Sequence, residues 1–244
     1  MIEVNKLCKR YGNNGKLVVN NISFSLGESE IVSIVGPSGC GKTTTLKMIN
    51  RLIEPTSGSI NINAQHFTDT NPVLWRRKIG YVIQKSGLLP HLTVEDNITL
   101  ISKVDGGNGK MVKERARELM DIVNLPYATF ARRYPIELSG GQQQRVGIAR
   151  SLMANPPLII MDEPFGALDP ITKSHLHDEF LHLNESLGKT ILIVTHDLRE
   201  AFKLSDRVIL MNNGTIEQIG KKNDFIENPA NLFVTEFMKG QLSE

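Results

Sequence analysis

The string GPSGCGKT, from Gly36 to Thr43, constrains this chain more than any other feature. It follows IVSIV (Ile31 to Val35), a short apolar run rich in β-branched residues that reads as a strand feeding a loop. From about Lys42 onward, Leu46, Ile49 and Ile53 recur at helical spacing until the PTSG stretch (Pro55 to Gly58) stops the run. Gly36, Gly39 and Gly41 let such a loop curl closely around an anion, with backbone N–H groups presented at the positive end of the new helix. Lys42 adds a mobile positive charge for β and γ phosphates, and the Thr43 hydroxyl suits Mg²⁺. Gly36, Pro37, Ser38, Gly39, Cys40, Gly41, Lys42, Thr43 and Thr44 are therefore read as a nucleotide-phosphate grip.

A second piece of that chemistry lies at LIIMDE, Leu158 to Glu163, an apolar strand ending in two carboxylates. Asp162 is placed to hold a Mg²⁺ shell, and Glu163 points elsewhere, where it can take a proton from an attacking water. Further short apolar runs stand at Ile79 to Ile83, Ile191 to Thr195 and Val208 to Met211, mostly separated by helical patterns. That alternation predicts an α/β sheet with parallel strands. Asn212, Asn213 and Gly214 lead into Thr215 to Ile219, a hairpin signal. Between about 86 and 155 the pattern is helical, with Val112, Ala116, Leu119, Met120 and Val123 on one face, and reads as a lobe inserted into the sheet domain.

Composition narrows the classes. A chain of 244 residues with 40% hydrophobic content fits one domain with lobes. Its 28 basic and 26 acidic residues leave a formal charge of +2, too little for a dedicated nucleic-acid binder, so no nucleic-acid partner is expected. The two cysteines are Cys8 and Cys40, and a disulfide at the second would obstruct the ligand, so reduced thiols in a cytosolic setting are expected. The N-terminus has no apolar stretch of a signal peptide, and no run reaches the ~18 apolar residues of a spanning helix. Any link to a membrane would come through a partner.

The third string is LSGGQQQR, Leu138 to Arg145, about a hundred residues beyond the first. A small-residue turn opening a helix is a second anion cradle. Together the strings resemble the nucleotide-binding subunit of an ABC transporter over nearly the whole chain. The resemblance implies a P-loop NTPase (RecA-like) core sheet, an N-terminal antiparallel β region and the inserted helical lobe. It also implies a head-to-tail homodimer of ATPase subunits when ATP is bound, in which Ser139, Gly140, Gly141 and Gln142 of one copy touch the γ-phosphate side of the other's nucleotide.

By the same match Tyr11 is the aromatic on which adenine stacks, unless it is a plain surface tyrosine of an edge strand. Gln84 links Mg²⁺ and water to the transporter contact. Asp169 in GALD crosses the dimer interface, with a helix N-cap as its other reading. His196 holds the γ-phosphate and the attacking water, with a buried core histidine as the alternative. The remaining histidines show no metal-like constellation, and His175 and His177, two apart on a helix, face different ways.

The strings TTTLKMINRLIEPTSG, RRKIGYVIQ and MDEPFGALDPITK look most like ATPases that import quaternary amines. ATP and Mg²⁺ are the implied cofactors. A transmembrane permease, docked near Lys85 to Glu95 where Leu88 and Leu89 look exposed, and indirectly an extracytoplasmic binding protein, are the implied partners; ordinary packing of the helical lobe is the other reading of that segment. The implied location is the cytoplasmic face of the cell membrane. Relatives of this group often carry C-terminal regulatory modules; here a short helical tail over about 220–244 is expected instead. A non-transport ABC ATPase of DNA repair or translation is the alternative. Repair relatives, however, insert long coiled coils between the strings, and ribosomal ones carry two cassettes.

Overall fold

The computed structural model describes residues 1–12, 15–84, 87–166 and 168–242, without the side chain at 186. It divides into two compact units, residues 1–76 with 189–244, and residues 77–188.

The first unit opens with β1 (Ile2–Arg10) and β2 (Leu17–Leu26), antiparallel, with Ile2 opposite Leu26 and Val4 opposite Phe24 on the buried face. Alternation of buried and exposed residues along these strands is that of a sheet with one dry face. β3 (Ile31–Val35) is buried at every position, as a strand covered on both faces must be. After it come α1 (Lys42–Ile49), β4 (Ser57–Ile62), the two-residue β5 (Gln65–His66) and α2 (Pro72–Arg77). α1 ends at Ile49 with Asn50 as its C-cap, so Ile53 lies beyond the helix despite its helical spacing. A first sheet runs in the order β2-β1-β4-β5.

Unit two supplies β6 (Ile79–Val82), α3 (Val94–Val104), α4 (Gly109–Ile122), the single turn α5 (Tyr127–Phe130), α6 (Gly140–Leu152), β7 (Leu158–Asp162) and α7 (Pro170–Leu187). β6 and β7 pair in parallel, and α3 to α6 follow one another without a strand among the described residues. Val112, Ala116, Leu119, Met120 and Val123 are buried, the face their periodicity marks. The fully buried Asn97 of α3 donates to the carbonyls of Leu89, Leu92 and Thr93 and accepts from the Leu89 amide at 2.8 Å. That network pins the segment carrying Leu88 and Leu89, which are half-buried. Lys85 and Ser86, the start of the expected docking segment, lie outside the described residues.

The chain returns to the first unit through β8 (Thr190–Val194), α8 (Leu198–Leu204), β9 (Arg207–Asn212), β10 (Thr215–Gly220), α9 (Lys222–Glu227) and α10 (Leu232–Leu242). β3 lies between β8 and β9, parallel to both, and β10 turns back antiparallel on β9. Val35, Leu210, Phe225, Val234 and Met238 share one core cluster, so the tail helices pack beneath the strand that leads into the glycine-rich loop.

Candidate functional site

Within the first unit the loop after β3 is a preformed cradle. A Cβ on Gly36 would sit 2.1 Å from the Met211 carbonyl oxygen, and one on Gly41 would sit 2.7 Å from that of Val18, so only glycine admits this approach. Gly41 lies at φ +107° as the N-cap of α1, whose first turn carries no acid, so the positive end of this helix suits an anion. Lys42 is 7% exposed, and its Nζ donates to the carbonyl oxygens of Gly36 at 2.7 Å and Pro37 at 2.9 Å. The ammonium is thereby held inside the loop. Pro37, Ser38 and Gly39 form an exposed rim, while Thr43 and Thr44 are half-buried at the start of the helix. The Cys40 thiol is pushed up by burial, against the pull of the Lys42 charge.

His196 belongs to the same end of the same sheet. Ile34 pairs with Val194, so the residues after β8 emerge beside the loop after β3, and the Thr195 amide donates to the Ile34 carbonyl at 3.1 Å. His196 is exposed, which removes the reading of a buried core histidine. Asp197 caps α8, accepting from the Glu200 amide at 3.1 Å. Tyr11 follows β1, is 51% exposed, and has the Lys9 ammonium 5.2 Å from its ring centre.

The second unit gathers the carboxylates. Asp162, buried, ends β7, and its negative charge adds to burial in raising the Tyr81 phenol to about 12. Glu163 follows at φ 45°, left-handed backbone that a residue with a side chain seldom adopts. Gln84, just past β6, donates from Nε2 to the Glu163 Oε2 at 2.9 Å. Two residues placed on separate strands by the sequence are thus in contact. Within this unit the Asp162 carboxylate and the Gln84 amide oxygen are donors of the kind a hard cation takes. No cluster of three or more His, Cys, Asp or Glu suited to a metal occurs among the described residues.

The LSGGQQQR string divides into two parts. Ser139 caps α6, its Oγ accepting from the Gln142 amide at 3.3 Å while the Gln142 Oε1 accepts from the Ser139 amide at 2.9 Å. Gly140 is exposed, and a Cβ on the buried Gly141 would lie 3.1 Å from Thr172 Cγ2, so α6 starts against the start of α7. Asp169 does cap α7, accepting from the Thr172 amide at 3.0 Å, and hydrogen bonds from the Thr172 side chain and then its amide hold the carboxyl low. Ala167 of GALD lies outside the described residues. Gln143, Gln144 and Arg145 look inward: Gln143 donates to the Pro135 carbonyl at 3.0 Å, Gln144 is buried, and Arg145 pairs with Glu179 at 2.6 Å. Sequence reading missed the apolar residues beside these caps, Ile136 (91% exposed) and Ile171 (74% exposed). Their signal was an isoleucine next to each motif with no strand or helix periodicity to bury it.

Comparison with known proteins follows the same lines. The family model described as ABC transporter matches residues 19–166. A choline transport ATP-binding protein of Bacillus subtilis (strain 168) is 51% identical over 238 residues, 98% of this chain and 62% of the relative. A carnitine transport ATP-binding protein of Listeria monocytogenes is also 51% identical, over 98% of this chain and 59% of the relative. The chain thus spans about three-fifths of the length of these curated relatives. Among solved structures, a dimeric post-hydrolysis state of an ATP-binding cassette bound to ADP and Pi superposes with a TM-score of 0.79 at 38% identity, covering 91% of this chain and 98% of that one.

Proposed function

The chain belongs to the ABC transporter family, and from that premise we propose that it binds and hydrolyses ATP to energise an importer for a small quaternary amine. The observation that carries the reading is the cradle itself: a loop that only glycine can close, with the Lys42 ammonium already seated on the Gly36 and Pro37 carbonyls. Little reorganisation is then needed when phosphates arrive, which is where positioning and charge do most of the work in phosphoryl transfer.

The residue roles follow from the same reading. Thr43, Asp162 and Gln84 would hold Mg²⁺, which when bound neutralises charge on the phosphates. Glu163 takes the proton of the attacking water, with Gln84 orienting its carboxylate, and His196 steadies the γ-phosphate end. Tyr11 offers a ring for adenine. Ser139, Gly140, Gly141 and Gln142 act on the nucleotide of a second copy, with Asp169 at that contact. Exposed Ile136 and Ile171 support a covering copy there, because single isoleucines this bare beside two capped helix starts are what an interface would bury. No helix among the described residues is long and apolar enough to cross a membrane, so a transmembrane permease would carry the solute, with this subunit at its cytoplasmic face.

The quaternary-amine reading rests on the named solutes of the choline and carnitine relatives. ATP titration of the wild type and Lys42→Ala tests the core of the proposal: binding is expected in the first and lost in the second. Equal affinity in both would overturn the grip. Uptake of labelled choline, carnitine and glycine betaine by cells with and without the intact gene tests the solute, and unchanged uptake of all three would refute that class.

A further inference from the structure

The β9–β10 turn makes contacts that a hairpin does not need. Asn212 pairs with Thr215, leaving Asn213 and Gly214 as a two-residue loop with both φ positive, 45° and 84°. This is the backbone of a tight hairpin turn, and Asn-Gly is its usual sequence. In a free-standing hairpin the N–H and C=O of the second loop residue face water. Here the Gly214 N–H donates to the Cys40 carbonyl at 3.0 Å, and its own carbonyl accepts from the Asn20 amide at 2.8 Å. One residue, far along the chain from both, bridges the glycine-rich loop to β2.

The space around that bridge is full. A Cβ on Gly214 would lie 2.7 Å from the Val18 carbonyl oxygen, the same atom that lies 2.7 Å from a Cβ built on Gly41. Gly36 is closed against the Met211 carbonyl, one residue before β9 ends. The loop is thus walled by β9 and its turn on one side and by Val18 to Asn20 of β2 on the other. We propose that Gly214 is a positioning residue for the phosphate loop, clipping it to β2 and so setting the width of the cradle that receives the nucleotide's phosphates. The inference rests on the ATP-binding reading given above. Any side chain at 214 pushes Val18 away, and with it the wall behind Gly41.

The test uses the whole chain and the non-hydrolysable analogue AMPPNP. Calorimetric titration compares wild type, Gly214→Ala, Gly214→Asn and Asn213→Gly. Asn tolerates the positive φ that Ala resists, so Gly214→Asn keeps the turn and retains only the Cβ clash. Both Gly214 variants are expected to bind at least about tenfold more weakly, the scale of one strained loop hydrogen bond, while Asn213→Gly binds as wild type does.

Wild-type affinity in a folded Gly214→Ala or Gly214→Asn would overturn the inference. Amide exchange on the wild type decides independently of how the variants fold: AMPPNP should slow exchange at Gly214 and Asn20 together with the loop amides. Slowing at the loop alone would also overturn it. If wild type fails to bind AMPPNP, the ATP reading itself falls; if wild type binds and the variants match it, only the role of Gly214 falls.

Discussion

Glu163 sits one residue past β7 at φ 45°, a conformation costing about 1 kcal/mol or more for a residue with a side chain. The fold holds it there, and the turn sends its carboxylate to Gln84 rather than along the line of Asp162. If this is the general base, Glu163→Gln should bind ATP and hydrolyse it at least about a hundredfold more slowly in a steady-state phosphate assay. Near-normal turnover would move the base elsewhere, with His196 first in line. Cys40 invites a second measurement, since it is 4% exposed with a thiol pushed up by burial, whereas Cys8 is partly exposed. Iodoacetamide at pH 8 should therefore alkylate Cys8 well before Cys40, as peptide mass spectrometry would record; the reverse order would mean the loop opens readily. The residues legible in the sequence were those whose own chemistry marks them, such as Lys42, Glu163 and Ser139. Gly214 and Ile136 were not: Gly214 touches Cys40, Asn20 and Val18, all far along the chain, and the exposure of Ile136 follows from packing that no local pattern records.

At the scale of elements, β3 and β6 to β10 were legible to within a residue or so because fully buried runs such as Ile31 to Val35 have one interpretation beside a glycine turn, whereas β1, β2, β4 and β5 came only as the antiparallel region that the resemblance implied. Ile53 was misplaced for a physical reason: periodicity continues past Ile49, but the Asn50 amide already closes the helix on Leu46 and Arg51 turns to φ 49°. Asp169 shows the converse, a residue whose local signal held: it is the N-cap of α7, accepting from the Thr172 amide. Phe225 of α9 is 1% exposed in the cluster with Val35, so Phe225→Ala should cost about 3–5 kcal/mol in denaturant melts and loosen the strand that enters the glycine-rich loop. Arg207 of β9 holds Glu30, in the turn before β3, with Nη2 to Oε2 at 3.0 Å, and this guanidinium lowers the Glu30 carboxyl. A lowered folded-state value means stability gained above the ordinary carboxylate range and lost as pH falls through the folded value. Glu30→Gln should thus cost about 1 kcal/mol at pH 7, partial exposure limiting the pair, with the gap to wild type closing in acid melts.

For the whole molecule, the decisive question is whether two copies close on each other. The surface proposed to face the second copy begins with two capped helix starts, Ser139 on α6 and Asp169 on α7, held together by the Gly141 and Thr172 contact. Capping satisfies some of the N–H groups at these helix starts, and the positive ends of both dipoles lie beside the exposed Gly140 and Ile171. Beside them Ile136 and Ile171 present apolar surface that water penalises and a partner would remove. On the proposed function, association would need an anion to meet the helix ends, so the dimer would depend on nucleotide. Glu163→Gln with ATP should accordingly elute as a dimer in size-exclusion chromatography with light scattering, and as a monomer without ATP. Adding Ile136→Asp and Ile171→Asp should abolish the ATP-dependent dimer while single-chain ATP affinity is retained, because neither residue lies in the phosphate loop. A dimer that survives both substitutions would place the interface on another face, and the LSGGQQQR string would then need a different partner.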